Sequence, residues 1–354
     1  MSVTAVEAAP GRIVRPGALL VGLTLLLPAS LLLGVGIGAV RIAPGDAIAI
    51  LLHHLGIGSA AGVDPQEDAI LWVIRLPRVL LGALVGGGLA VAGAALQGMF
   101  RNPLADPGLI GVSSGASLGA VAAIVLGLNA LVPGGLQLLA FVGGVLTSLG
   151  VYVLARHDGR TETVTLILTG VAVAAIVGAA IGLLLARADD ADLRDVVFWS
   201  LGSLGGATWP LVAATAPFVA VGALASCARA RELDLMTLGE REALHLGVDT
   251  ERTRLLLILA TSLATGAAVA AAGVISFVGL VVPHLVRLAV GPTHAIVLPA
   301  SCLGGASLVV LADVAARTAA APVELPLGVI TSLAGGPFFL WLLWRTRRAD
   351  GGWG

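Results

Sequence analysis

The sequence predicts an all-α polytopic membrane protein, and three observations carry that expectation. Of the 354 residues, 58% are hydrophobic, and the mean hydropathy is +1.02. Charged residues amount to 12% and gather in narrow clusters between long apolar runs instead of lining amphipathic faces. Most of those runs reach the roughly 20 residues that a helix needs to cross about 30 Å of hydrocarbon. The same composition excludes several chemistries. All 20 basic residues are arginine, so the chain holds no lysine to complete a phosphate-binding P-loop. A net charge of −1 with 4% aromatic residues supplies neither the basic patch nor the stacking platform of a nucleic-acid binder. Cys227 and Cys302 fall in apolar runs, where a free thiol packs as a small hydrophobe, so no disulfide framework is expected.

About ten spans follow in chain order, within one membrane domain covering residues 1–354. Residues 17–40 form the first; the run is longer than a signal-peptide core, and no small-residue cleavage site follows it. His53 and His54, with Asp46 upstream, predict a short interfacial helix rather than a metal site. Spans two to five are expected at 79–99, 108–128, 136–155 and 164–186, and the sixth at 208–228. The charged connection 229–254 interleaves Leu233, Leu235, Met236, Leu238, Leu244 and Leu246 with its charges. That pattern predicts short amphipathic helices fit to dock a soluble partner, or to lie on the anionic inner leaflet. Span seven is expected at 255–274. The eighth, at 276–290, reaches only about 22 Å at 1.5 Å per residue. Pro283 interrupts it, which predicts a broken or partial span with a structural role for His284. Spans nine and ten occupy 295–312 and 327–344, with Asp313 and Glu324 at the outer end of the ninth.

Placing the amino terminus in the cytoplasm puts 14 arginines, Arg12 among them, on inner segments. Six remain outside: Arg41, Arg75, Arg78, Arg187, Arg194 and Arg317. This satisfies the positive-inside rule and makes both termini cytoplasmic. Gly34/Gly38, Gly82/Gly86, Gly111/Gly115/Gly119 and Gly178/Gly182 have the spacing that lets helix backbones approach closely in lipid. Gly86, Ala90, Gly93 and Pro103 recur 180 residues later as Gly266, Ala270, Gly273 and Pro283. Those runs are the second and seventh spans, oppositely oriented, as in an inverted-topology repeat. No metal cluster, nucleophile constellation or paired carboxylate is evident in the spans. An ion-coupled secondary transporter is the competing class, but it requires midplane ionisable groups that the spans lack.

Several stretches together resemble one family. They are Arg75-Leu76-Pro77-Arg78; Gly93 to Gln97; Arg101-Asn102-Pro103-Leu104-Ala105-Asp106-Pro107-Gly108 with Gly111-Val112-Ser113-Ser114-Gly115; and Gly279-Leu280-Val281-Val282-Pro283-His284. Leu238-Gly239-Glu240, Leu246-Gly247 and Glu324-Leu325-Pro326-Leu327-Gly328 extend the match over nearly the whole chain. It is similar to the FecCD-type permeases of ABC importers, which serve iron-siderophore, heme and cobalamin uptake. The resemblance implies the type II importer permease fold of ten helices with an inverted repeat, in the bacterial inner membrane, and a homodimer embedded in membrane lipid. It further implies two ATP-binding cassette ATPase subunits that use ATP and magnesium, and a periplasmic substrate-binding protein outside. It implies no cofactor, metal or catalytic residue for this subunit.

Residue by residue, the resemblance assigns docking of the binding protein to Arg75, Arg78 and Arg317. It assigns ATPase coupling to Leu238, Gly239, Glu240, Ala243, Leu246 and Gly247. The cytoplasmic gate maps to Asn102, Leu104, Thr163 and Val164, the last standing where the family pattern has a serine. Residues 193–204, with Phe198-Trp199 and Gly202-Ser203-Leu204, resemble heme permeases more than the cobalamin one. Heme is therefore the expected cargo, ahead of iron-siderophores and cobalamin.

Overall fold

In lipid no water satisfies a free backbone N–H, so each crossing segment must close its own hydrogen bonds, and helices dominate the chain. The computed structural model describes residues 14–38, 40, 42–57 and 63–349; Arg12 and Arg41 lie outside them. The first half contains α1 (Pro16–Gly36), α2 (Pro44–His54), α3 (Pro65–Ala69), a π turn (Ile70–Arg75), α4 (Leu76–Phe100) and a 3-10 turn (Pro107–Ile110). It continues through α5 (Val112–Val125), α6 (Leu128–Leu131), α7 (Gly135–Ala155), the hairpin β1 (Arg156–His157) and β2 (Arg160–Thr161), and α8 (Thr163–Leu185). Next come α9 (Asp190–Ser200), α10 (Trp209–Ala228), α11 (Ala230–Met236), α12 (Glu240–His245) and α13 (Thr250–Ala272). The chain ends in α14 (Val278–Val290), α15 (His294–Thr318) and α16 (Leu327–Ala349). Among the described residues, seven helical stretches are long and apolar enough to span a bilayer, and α5, α14 and α16 add shorter apolar segments.

The core runs along α4 and α13. Their most apolar windows are 83% and 72% buried, against 17% for α1 and α8 at the periphery. Close glycine contacts explain the density. A Cβ on Gly86 would lie 2.1 Å from the carbonyl oxygen of Gly305, so α4 and α15 meet backbone to backbone. With Gly82 against Val309 and Gly98 against His294, the two helices run antiparallel along their whole length. The Gly111/Gly115/Gly119 series packs on α7, Gly115 against Gly143 and Gly119 against Leu139. Gly178 and Gly182 on α8 face open space.

Two expected spans are shorter than the sequence suggested. The third, expected at 108–128, begins with the 3-10 turn, and α5 starts only after Gly111, whose φ of 81° breaks the helix. The eighth is α14, and Pro283 sits inside it without breaking it; the break falls earlier, at 273–277, where Gly273 and Phe277 take positive φ. Pro283 has no N–H to give the Gly279 carbonyl one turn back, and that oxygen accepts from the Gln97 side chain at 3.1 Å instead. Each long central helix is therefore followed by an irregular stretch and a short helix, α4 by α5 and α13 by α14. The 180-residue sequence repeat is not matched at that offset, because Pro103 lies in the loop after α4 whereas Pro283 lies inside α14, and Gly93 lies within α4 whereas Gly273 follows the end of α13. The second span is instead longer than expected, continuous from Pro65 to Phe100. The π turn just before Leu76 has a local cause: Pro77 cannot donate to a carbonyl one turn back, and the helix widens, with Leu76 N–H reaching Leu71 O.

Candidate functional site

The residues singled out from the sequence fall at the two ends of α15. At one end, α11 and α12 cover the bundle. Leu233, Met236 and Ala243 are buried in it, whereas Leu238, Leu244 and Leu246 are exposed, Leu238 by 62%. The apolar residues of 229–254 thus divide into a set that seals the segment down and a set that faces away. Gly239 (φ 129°) and Gly247 (φ 85°) bracket α12 in backbone that a side chain would strain. Beside the exposed leucines opens a polar cleft of about 440 Å³ lined in part by Arg229, Arg231, Asp249 and Arg252. Apolar knobs beside a charged cleft suit protein docking.

Side chains that sequence reasoning missed hold this segment in place. Asp234 of α11 accepts from the His294 backbone N–H at 2.9 Å, and its Oδ1 lies 2.7 Å from the ring Nδ1, capping the start of α15. Arg254 of α13 donates to Glu240 at 2.5 Å and to Glu251. Glu251 in turn accepts from the backbone N–H of Thr161 at 2.8 Å and from its hydroxyl at 3.1 Å. Only the Glu251 and Arg254 spacing of three residues was readable as a helical pair. The remaining partners lie far apart in sequence.

The gate residues occupy adjoining elements. Asn102 Oδ1 accepts from the Leu104 N–H at 2.9 Å, closing a turn that leaves Leu104 exposed. Thr163 opens α8, and Val164 is 66% exposed. Helix α8 meets the 3-10 turn where Gly170 abuts the Leu109 carbonyl. The intervening loop doubles back. Asp106, Leu89, Thr265 and Gly279 line one cavity of about 20 Å³. Leu89 lies eleven residues up α4 from Phe100, about 16 Å at the helical rise. A carboxylate therefore does enter the depth of the bundle, contrary to the sequence expectation. It is engaged in a turn, accepting from Gly108 N–H at 2.8 Å. Nearby, Gln97 of α4 donates to the Gly279 carbonyl at 3.1 Å and accepts from Arg287, which also donates to Ala94 O, fixing α14 to α4.

At the other end of α15 the three assigned arginines are engaged within the subunit. Arg75 donates to Val35 O at 2.7 Å, to Gly36 O at 3.2 Å, and to Val40 O. Arg317 donates to Gly34 O at 2.9 Å and Ile37 O at 3.1 Å, with Nε 3.0 Å from Asp313 Oδ2. Both cations thus satisfy orphan carbonyls at the carboxyl end of α1 and complement its dipole. Arg78 is clamped by two carboxylates, with Nε and Nη2 reaching Asp313 Oδ1 at 3.1 and 3.0 Å and Nη2 reaching Glu324 Oε2 at 3.0 Å. Asp313 is buried, while the Glu324 side chain is half exposed. All three arginines therefore have partners within the subunit. On α2, His54 stacks on Trp72 at 3.9 Å and pairs with Asp68 at 2.9 Å. Among the described residues no group of three or more His, Cys, Asp or Glu is placed to hold a metal.

Comparison with known proteins follows this geometry closely. The sequence profile described as the FecCD transport family matches residues 25–345. The cobalamin import system permease protein BtuC of Halobacterium salinarum is 48% identical over 282 residues, covering 80% of this chain and 75% of that protein. The hemin transport system permease protein HmuU of Yersinia pestis is 45% identical over 292 residues, covering 80% and 85%. The ABC transporter permease protein YvrB of Bacillus subtilis, itself uncharacterised, is 44% identical over 338 residues, covering 94% and 95%. A solved structure described as an inward-facing metal-chelate-type ABC transporter superposes with a TM-score of 0.82 at 32% identity, covering 93% of this chain and 99% of that one.

Proposed function

The chain belongs to the FecCD transport family and is a multi-pass permease subunit of an ABC importer, and we propose that its cargo is heme. Hemin and cobalamin, the cargoes in two relatives' names, are both large metal tetrapyrroles, so their close identities support that chemical class first. Within the class, the 193–204 segment, built here as α9 and the turn after it, favours heme. The relative with the higher identity of the two favours cobalamin as the second reading.

In this proposal the α11 and α12 end is cytoplasmic, as are both termini, and the membrane is the bacterial inner one. The observation that carries the assignment is the set of exposed leucines beside the charged cleft on that end. A partner ATPase subunit seats there, contacting Leu238, Gly239, Glu240, Leu246 and Gly247, with Ala243 packed beneath. That partner hydrolyses ATP with magnesium, and this subunit binds no cofactor. The opposite end receives a periplasmic substrate-binding protein around Arg75, Arg78 and Arg317. Three cations against the two carboxylates Asp313 and Glu324 leave an excess positive charge for its acidic groups. Two copies of the chain pair around the pathway, and α8, with Gly178 and Gly182 uncovered and Val164 and Leu168 exposed, supports a place at that seam. Asn102, Leu104, Thr163 and Val164 form the cytoplasmic gate, with valine making it more apolar than the family pattern.

The deciding experiment reconstitutes the permease with its ATPase and binding protein in vesicles and supplies hemin, cobalamin and a ferric siderophore separately. ATP-dependent accumulation of hemin alone is the expected result. Accumulation of cobalamin without hemin would replace the cargo, and accumulation driven by an ion gradient without the ATPase would overturn the class.

A further inference from the structure

One continuous path of charge-assisted hydrogen bonds links the exposed coupling helix to the hairpin that leads into the gate helix. At its centre is Arg254, whose side chain is only 1% exposed and is the largest fully buried side chain among the described residues. Its Nη2 reaches Glu240, the first residue of α12, and its Nη1 reaches Glu251, one turn back on α13. The Glu251 carboxylate then grips Thr161 twice, through the backbone N–H and the hydroxyl. Thr161 ends the β1–β2 hairpin, two residues before Thr163 begins α8.

All the pairing of this buried cation runs through its two terminal nitrogens, because Nε has no hydrogen-bond partner among the described residues. Glu251, three residues away on the same helix, would by itself neutralise Arg254. Glu240 adds a second carboxylate from a different element, fourteen residues upstream, and the planar guanidinium is suited to holding both at once. Helix α12 is flanked by Gly239 and Gly247, both at positive φ, so it is a short rigid unit between two glycine joints. Within the subunit α8 buries only Leu166, Gly170 and Val177, and the hairpin that Glu251 holds leads directly into its first turn. An arginine buried this completely cannot swing into solvent when one of its partners moves. It either carries the other partner along or loses a buried ion pair, which is costly.

We propose that Arg254 is a positioning residue that transmits displacement of α12 to the start of α8, so that the gate at Thr163 and Val164 follows the ATPase. The inference rests on the coupling role given to α12 above. It assigns to Arg254, Glu251 and Thr161 a part in transport that requires no contact with cargo or nucleotide.

The test uses the complete transporter in proteoliposomes and compares wild type with Arg254→Lys and Glu251→Gln. Lysine keeps the charge but cannot fork between two carboxylates, and glutamine keeps the acceptor for Thr161 while weakening its bond to Arg254. The readouts are co-purification of the ATPase, its hydrolysis rate, and cargo moved per ATP hydrolysed. Both variants are expected to retain the ATPase and its hydrolysis, while cargo per ATP falls roughly fivefold or more, the lower end of typical allosteric coupling. A spin label at Leu168 should report a smaller nucleotide-dependent shift in both. An unchanged ratio of cargo to ATP in either folded variant overturns the proposal. So does loss of the ATPase from the Glu251→Gln complex, which would make this group part of the docking surface instead. Failure of the wild-type subunit to bind any ATPase would remove the coupling reading itself, and the relay with it.

Discussion

Arg78 shows what the place of a side chain in a sequence leaves out. The family resemblance assigns it to docking, and within the subunit its guanidinium lies between Asp313 and Glu324. Removing it leaves the buried Asp313 carboxylate with Arg317 alone. Arg78→Leu is therefore expected to destabilise the subunit by about 3 kcal/mol, in the range for breaking a buried pair by deleting one partner. Denaturant or thermal unfolding in detergent would check this. The loss should persist in high salt, because buried pairs are little screened. A midpoint equal to wild type would show that the clamp contributes nothing. Arg75→Glu, the obvious docking variant, would set a carboxylate against the α1 carbonyls, so reduced folding yield should accompany any loss of docking.

At the scale of elements, two glycine substitutions should part company. Gly93 meets the Gly279 carbonyl so closely that an added Cβ would lie 1.9 Å from its oxygen, and both contact atoms belong to backbone. Gly93→Leu is expected to force α14 off α4 and abolish folding. Gly178 has open space around it in the subunit, so Gly178→Leu should fold normally and instead weaken the pairing of two copies. Size-exclusion chromatography with cross-linking separates these outcomes, and a stable Gly178→Leu dimer would move the seam away from this part of α8. The exposed leucines of the coupling segment permit a similar separation. Leu238→Asp and Leu246→Asp change side chains that pack on nothing in the bundle, so the membrane domain should stay folded while the ATPase no longer co-purifies. Normal co-purification and transport by both would place the docking face elsewhere.

For the whole molecule, the absence of lysine and of any metal-holding group among the described residues leads to the same expectation. Rigorously pure subunit should hydrolyse no ATP, and it should bind hemin weakly, without the absorption spectrum of axial ligation. Hydrolysis by the isolated chain, or a stoichiometric hemin complex, would contradict a pathway that passes its cargo along without holding it. In the proposed scheme, specificity resides in the outer partner and energy in the inner one.

The sequence by itself determined the class of fold, the approximate place of about ten hydrophobic segments, the short helices of the charged segment 229–254 and the family. These depend on composition, apolar run length and short motifs, all local along the chain. The short helix that ends at His54 and the close packing of the Gly111 series were legible for the same reason. Only the tertiary structure decided where helices break. The doubling back of Asp106 and the unwinding at 273–277, with Pro283 left inside a helix, depend on what neighbouring helices can satisfy. Only the tertiary structure found partners for the charges. Arg78 meets Asp313 across 235 residues, and Thr161 meets Glu251 across 90. A side chain's charge is written in the sequence, but what neutralises it is chosen by packing, because a low-dielectric interior makes the nearest opposite group in space the one that counts.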